Sequence, residues 1–266
     1  MSPRRRVLAG VAALVLVLAA GVAAVAALGG PGRPGAPEAV RPLGEVPVLV
    51  VPGYNGTATS VGTLAARLRA AGREVEVVEL PDRGTRDLRT SARALGRAVD
   101  RTGAARVDLV GYSAGGVVIR VLLADPARAL RARRVVLLGT PNHGTELAGA
   151  AAALDPGMCG SVCQLAPGSG LLAELNRGDE TPPGPRFFSI WTAGDQTVVP
   201  PATASLDGAT NIRVQDVCPS ARLGHGDLVT SPLALGLVVE ALEGRLSEDP
   251  GAGDCTALRA AGAGGR

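Results

Sequence analysis

From residue 46 onward, short apolar runs alternate with stretches whose apolar residues recur every three or four positions. Residues 46–51 (VPVLVV) are a continuous apolar run, the pattern of a strand buried on both faces. In 60–71, Val61, Leu64, Ala65 and Leu68 fall on one side of a helix, and Gly72 ends it. Residues 74–80 (EVEVVEL) alternate with period two and read as a strand. The same spacings predict helix over 87–101, stopped by Gly103, strand over 107–110 and helix over 114–123. They also predict strands over 134–139, 186–192 and 211–217, and a closing helix over 232–246. Strands alternating with helices imply an α/β fold with a mostly parallel sheet of about six strands, covered by helices on both faces. In such sheets the working residues sit in loops beyond the carboxyl ends of the strands.

The first 28 residues break this pattern. Arg4, Arg5 and Arg6 precede an uncharged apolar run over 7–28. A basic cluster before such a run is the layout of an export signal. The run is also long enough to span a bilayer, which takes ~20 apolar residues. Small residues around Ala24-Val25-Ala26 resemble a processing site. The expectation is a signal peptide or a retained N-terminal anchor over 1–28, with membrane association through 7–28 in the second case. Arginines on the cytoplasmic side place the body outside the cytoplasm either way. Residues 29–44, rich in Gly and Pro, read as a linker, 45–247 as the folded domain and 248–266 as a tail.

With 266 residues and 46% hydrophobic content, the chain can build one domain with a full core. Aromatics make up only 2%, so Ala, Val and Leu must fill that core. All 27 basic residues are Arg, the net charge is +3, and no basic stripe is present. That distribution argues against a nucleic-acid partner. Cys159, Cys163, Cys218 and Cys255 all lie in the exported part, where an even number suggests two disulfides. Three pairings are open. Cys159 and Cys163 are close enough to clip one short loop, and Cys218 would then pair with Cys255. A zinc site, the rival reading, usually shows two close pairs, and here there is one.

Residues 107–116 (VDLVGYSAGG) run strand, tight turn, helix around Gly111-Tyr112-Ser113-Ala114-Gly115. G-x-S-x-G in that context is a nucleophile elbow. The turn is so sharp that side chains at 111 and 115 would strike the neighbouring strand and helix, so glycine stands there. Ser113 is thereby held proud of the sheet at a helix N-terminus, where developing negative charge is favoured.

A serine hydroxyl needs a base, and the chain has two histidines. His225 (LGHGD) follows the last predicted strand and precedes the last helix, the place where this motif's chain order of Ser, acid, His puts the base. His143 (GTPNHG) follows an earlier strand and fits a loop-ordering hydrogen bond or a pocket wall, with the role of base as its alternative. The acid must lie between Ser113 and His225. Asp195 directly follows a predicted strand in a tight turn, where it can accept the histidine's hydrogen bond and fix its tautomer. Asp207 follows a loop helix, Asp216 falls inside a strand pattern, and Asp125 before Pro126 looks like a helix cap. Two backbone N–H groups must face the substrate's carbonyl oxygen. Ala114 would supply one and Tyr54, in the loop after the first strand (PGYNGT), the other.

Four stretches, VPGYNGTATS, DLVGYSAGG, LLGTPNHGT and the run from FFSIWTAGDQTVVPPATASLDGATNIRVQ to GHGDL, resemble the small secreted bacterial lipases of the α/β-hydrolase fold, the class 2 lipases included. The resemblance implies acyl-ester hydrolysis by Ser113, Asp195 and His225, with Tyr54 and Ala114 as N–H donors. Pro52 departs from the family, which often has His before the glycine of the first loop. Residues 147–185 are longer than in minimal members and fit a lid, an acyl-pocket wall or a solvent-facing insertion. The expected function is an extracytoplasmic lipase or carboxylesterase, monomeric, acting on an ester or lipid without metal or organic cofactor. An acyltransferase or thioesterase on the same fold is the alternative, and a non-catalytic anchored binding module is a third.

Overall fold

Adjacent residues of the first strand, β1 (Val48–Val51), face opposite ways, and that alternation builds two cores. Val48 and Val50 enter one buried cluster, and Leu49 and Val51 the other. The computed structural model describes residues 46–154 and 159–265. The expected export segment and the linker lie outside the described residues. The segment Glu45–Arg266 forms one unit.

β1 pairs with β2 (Val75–Val77) on one side and β3 (Val107–Tyr112) on the other. β4 (Ala132–Leu138), β5 (Arg186–Trp191) and β6 (Thr210–Arg213) follow, giving the order β2-β1-β3-β4-β5-β6. Every pairing is parallel. Helices α1 (Gly62–Ala70), α2 (Leu88–Arg101), α3 (Ala114–Leu123), α4 (Glu146–Leu154), α5 (Gly170–Leu175), α6 (Pro232–Glu243) and α7 (Cys255–Ala263) complete the larger elements. Leu64 and Leu68 of α1, Leu233 and Leu237 of α6 and Leu258 of α7 pack on one face of the sheet. Leu95 of α2, Ile119 of α3 and Leu172 of α5 pack on the other. Each buried Val or Leu contributes about 1.5–3 kcal/mol, so a core poor in aromatics is no handicap.

Three expectations change. The strand expected over 74–80 pairs only through Val75–Val77. It is an edge strand, and Pro81 cannot extend a ladder. The strand expected over 211–217 stops at Arg213, and Val214–Val217 form a helical turn. Val214 and Val217 are both fully buried, three apart, which is helical spacing. Asp216 therefore sits on that turn, paired with Arg213. The tail after 247 carries α7, which packs on α6 so closely that a methyl on Gly236 would collide with the Leu258 carbonyl. A methyl on Gly262 would likewise collide with the Pro232 carbonyl.

Disulfides join Cys159 to Cys163 and Cys218 to Cys255. The second bond ties α7 to the turn after β6. Among the described residues no helix is long and apolar enough to cross a membrane.

Candidate active site

β3 ends at Tyr112 and α3 starts at Ala114, so Ser113 alone makes the turn between them. Its φ is 55° and its ψ −127°, a conformation that costs a non-glycine residue about 1–3 kcal/mol. Packing on both sides holds it. The Ser113 N–H donates to Leu138 O at 2.8 Å, and its carbonyl accepts from Gly116 N at 3.0 Å. A methyl on Gly111 would lie 2.5 Å from Gly116 Cα, and one on Gly115 would collide with Val51 O. The motif's glycines have the steric cause expected of them.

His225 lies beyond β6 and just before a short 3₁₀ turn, Gly226–Val229. Its Nδ1 lies 2.7 Å from Asp195 Oδ2. An ionised carboxylate only accepts, so Nδ1 carries the proton and Nε2 is left with its lone pair. The side chains are 12% and 1% exposed. Asp195 Oδ1 accepts the N–H groups of Thr197 and Val198 at 2.8 and 2.9 Å, which fixes the carboxylate plane. Among the described residues neither the Ser113 hydroxyl nor His225 Nε2 has a hydrogen-bond partner.

Tyr112 brings the elbow and the histidine loop together. Its ring centroid lies 5.0 Å from that of His225, and its hydroxyl reaches His225 O at 3.4 Å. Burial pushes the Tyr112 phenol up to about 12, helped by the charges of Asp195 and Asp227, so it stays neutral.

The loop after β1 lies against the elbow. A methyl on Gly53 would sit 3.0 Å from Ser113 Cβ. Among the described residues, the N–H groups of Tyr54 and Ala114 have no partner. All four non-glycine residues with positive φ in the described chain are Asn55, Asp82, Arg83 and Ser113. Asn55 follows Gly53 by two, and Gly84, next to Arg83, would place a methyl 3.8 Å from Gly53 O.

The remaining candidates stand elsewhere. His143 Nε2 meets Glu180 Oε1 at 2.9 Å and its backbone N–H donates to Thr203 O at 3.0 Å, a loop-ordering role. Asp125 accepts from Ala127 N as a helix cap. The Asp207 backbone donates to Glu180 Oε2. Two threonines were not singled out in the sequence. Thr192 Oγ1 donates to Leu223 O at 2.8 Å and joins the acid loop to the histidine loop. Thr145 Oγ1 donates to Thr197 O and accepts from Val199 N, joining the acid loop to α4. Thr192 directly follows β5 and Thr145 lies in the loop after β4, and neither position carries a sequence motif.

The long segment after residue 146 has two characters. Val162, Leu165, Leu171 and Leu172 enter the second core. The Cys159–Cys163 loop rests on the loop before α2, where Ser161 N donates to Thr85 O at 3.3 Å. α4 instead buries only Ala148, leaving Leu147 53% and Leu154 87% exposed. It starts at the acid loop, with Glu146 N donating to Val199 O at 2.8 Å.

Solved structures share this architecture. Aspergillus fumigatus lipase B superposes with a TM-score of 0.68 at 22% identity, over 82% of this chain and 56% of that one. A Bacillus licheniformis lipase in propeptide form gives 0.61 at 18% identity, over 77% and 51%. In its mature form it gives 0.57 at 18%, over 73% and 91%. The fold is that of an α/β-hydrolase. The chain spans little more than half the length of the first two structures. Residues 82–156 match a family model described as "Domain of unknown function (DUF7379)", a stretch that holds the elbow, β4 and the His143 loop. No curated protein matches the sequence.

Proposed function

We propose that the chain is a carboxylic-ester hydrolase of the lipase or carboxylesterase class, using Ser113 as nucleophile, His225 as base and Asp195 as its orienting acid. The observation that carries this reading is the His225–Asp195 hydrogen bond of 2.7 Å, with the ring of Tyr112, the residue before the positive-φ Ser113, packed on His225. His225 Nε2 takes the Ser113 proton as Oγ attacks the ester carbonyl. The oxyanion is received by Tyr54 N–H and Ala114 N–H. The imidazolium, stabilised by Asp195, returns its proton to the departing alcohol, leaving an acyl-enzyme. Water, deprotonated by His225, then releases the acid and restores the serine.

The exposed apolar side of α4, beginning at the acid loop, supports an apolar acyl group as the part of the substrate that reaches outward. The two disulfides, together with the basic and apolar start of the sequence, support an extracytoplasmic location.

The test is hydrolysis of a chain-length series of p-nitrophenyl esters by the purified protein and by Ser113→Ala. Turnover by the wild type, lost by a factor of about 10³ or more in the variant, is expected. Fluorophosphonate should label the wild type alone. Ester hydrolysis that survives Ser113→Ala would refute the mechanism. Rates that peak on acyl chains of intermediate length would fit the α4 surface.

A further inference from the structure

We propose that Tyr112 is a positioning residue that holds the His225 imidazole in the orientation the reaction needs. This deepens the hydrolase reading and rests on it.

A histidine base has two torsions to fix, and the Asp195 hydrogen bond fixes only one edge of the ring. Asp195 Oδ2 holds Nδ1 at 2.7 Å, yet the ring can still swing about that bond. Gly139 backs the same edge: a methyl there would come 3.1 Å from Nδ1 and 3.2 Å from Cε1. Tyr112 supplies the contact on the ring itself. The two centroids lie 5.0 Å apart with the planes inclined at 33°, within the range of favourable aromatic pairs. Its hydroxyl also donates to the main-chain oxygen of His225 at 3.4 Å, so the same residue touches both ring and backbone of the base.

Position in the chain gives this contact its consequence. Tyr112 is the last residue of β3 and is covalently joined to Ser113. The strand fixes Tyr112, the turn fixes Ser113, and the Tyr112 ring sets His225 relative to both. A shift of the base by about 1 Å can cost 10²-fold in rate, so a ring contact adjoining the nucleophile bears on kcat directly. Retention of the proton by the buried phenol keeps the hydroxyl a donor through the neutral and alkaline range.

Tyr112→Phe, Tyr112→Leu and Tyr112→Met separate the parts. Phe keeps the ring and loses the hydroxyl; Leu and Met lose the ring. Rates are read with a soluble p-nitrophenyl ester and, independently, as the second-order rate of fluorophosphonate labelling of Ser113. The expected result is kcat and labelling lowered about tenfold or more in Leu and Met, KM within about twofold, and Phe restored to within about threefold of wild type. Thermal unfolding identifies which variants are folded, and Met, the flexible filler, serves where Leu is not. Wild-type labelling rates in a folded Leu or Met variant overturn the proposal while the hydrolase reading stands. A raised KM at unchanged kcat also overturns it and makes Tyr112 a substrate wall. Failure of fluorophosphonate to label the wild type would instead strike the hydrolase reading itself.

Discussion

Gly53 packs tightly against Ser113: a methyl on it would sit 3.0 Å from Ser113 Cβ and 3.2 Å from the Tyr112 carbonyl oxygen, so the neighbours would have to give by a few tenths of an ångström. The loop after β1 and the elbow are fitted to each other at that contact. Gly53→Ala should therefore push the Tyr54 N–H away from Ser113 rather than unfold the sheet. We expect kcat to fall by about tenfold or more, with KM and thermal stability little changed. Steady-state kinetics with a soluble ester checks this; an unchanged kcat would remove Tyr54 from the oxyanion site.

Asp195 and His143 should behave differently under conservative replacement. Asp195→Asn keeps the shape but presents an amide to Nδ1, favouring the wrong tautomer, and kcat should drop by about 10⁴-fold. His143→Gln loses the ring's ties to Glu180 and to Thr203 O, and kcat should stay within about threefold, at a cost in stability of about 1–2 kcal/mol. Kinetics paired with urea unfolding separates the two. A large loss of kcat in the His143 variant, with His225→Gln tolerated, would move the base to the other histidine.

The two disulfides close very different loops. Cys218 and Cys255 are 37 residues apart, and Cys159 and Cys163 are 4 apart. On loop-closure entropy the first is worth about 4 kcal/mol and the second about 2 kcal/mol. Urea unfolding of the Cys218→Ser/Cys255→Ser double variant should show the larger loss. The order would reverse if α7 held its place by packing alone.

Tyr112 gives a stability change in alkali. Its folded value is raised to about 12 from an ordinary 10, so the unfolded chain loses the proton first. Folded-state stability from this group is intact below pH 10 and declines as the pH rises from 10 towards 12. In Tyr112→Phe that decline should be shallower. Unfolding midpoints measured at steps from pH 9 to pH 11.5 decide it; parallel curves for the two proteins would show that Tyr112 does not carry the effect.

Most of the sheet was legible because its strands are short apolar runs, as in residues 48–51 and 135–138. The two misjudged strands are both edges, where alternation such as EVEVVEL meets only one neighbour. Hydrogen bonding, not pattern, then decides length. The sharp turn at Ser113 was legible from the glycines around it, and the positions of Asp195 and His225 in loops beyond strands from the pattern of elements. The contact between Tyr112 and His225 was not, because 113 positions separate them and nothing in either neighbourhood points to the other. The same holds for Thr145 and Thr192, whose value lies in which loops the topology places beside them.

α7 seals α6, the helix that follows the His225 loop, and is bonded through Cys255 to the turn at Cys218. In time rather than space, this means that the surface behind His225 is completed only after α7 has been made. Four of the six strands and the elbow serine are complete by residue 138, yet the surface behind His225 is not covered until α7 arrives. On the proposed mechanism, a nascent chain that already possesses Ser113 still lacks a braced His225, and reactivity would wait for α7.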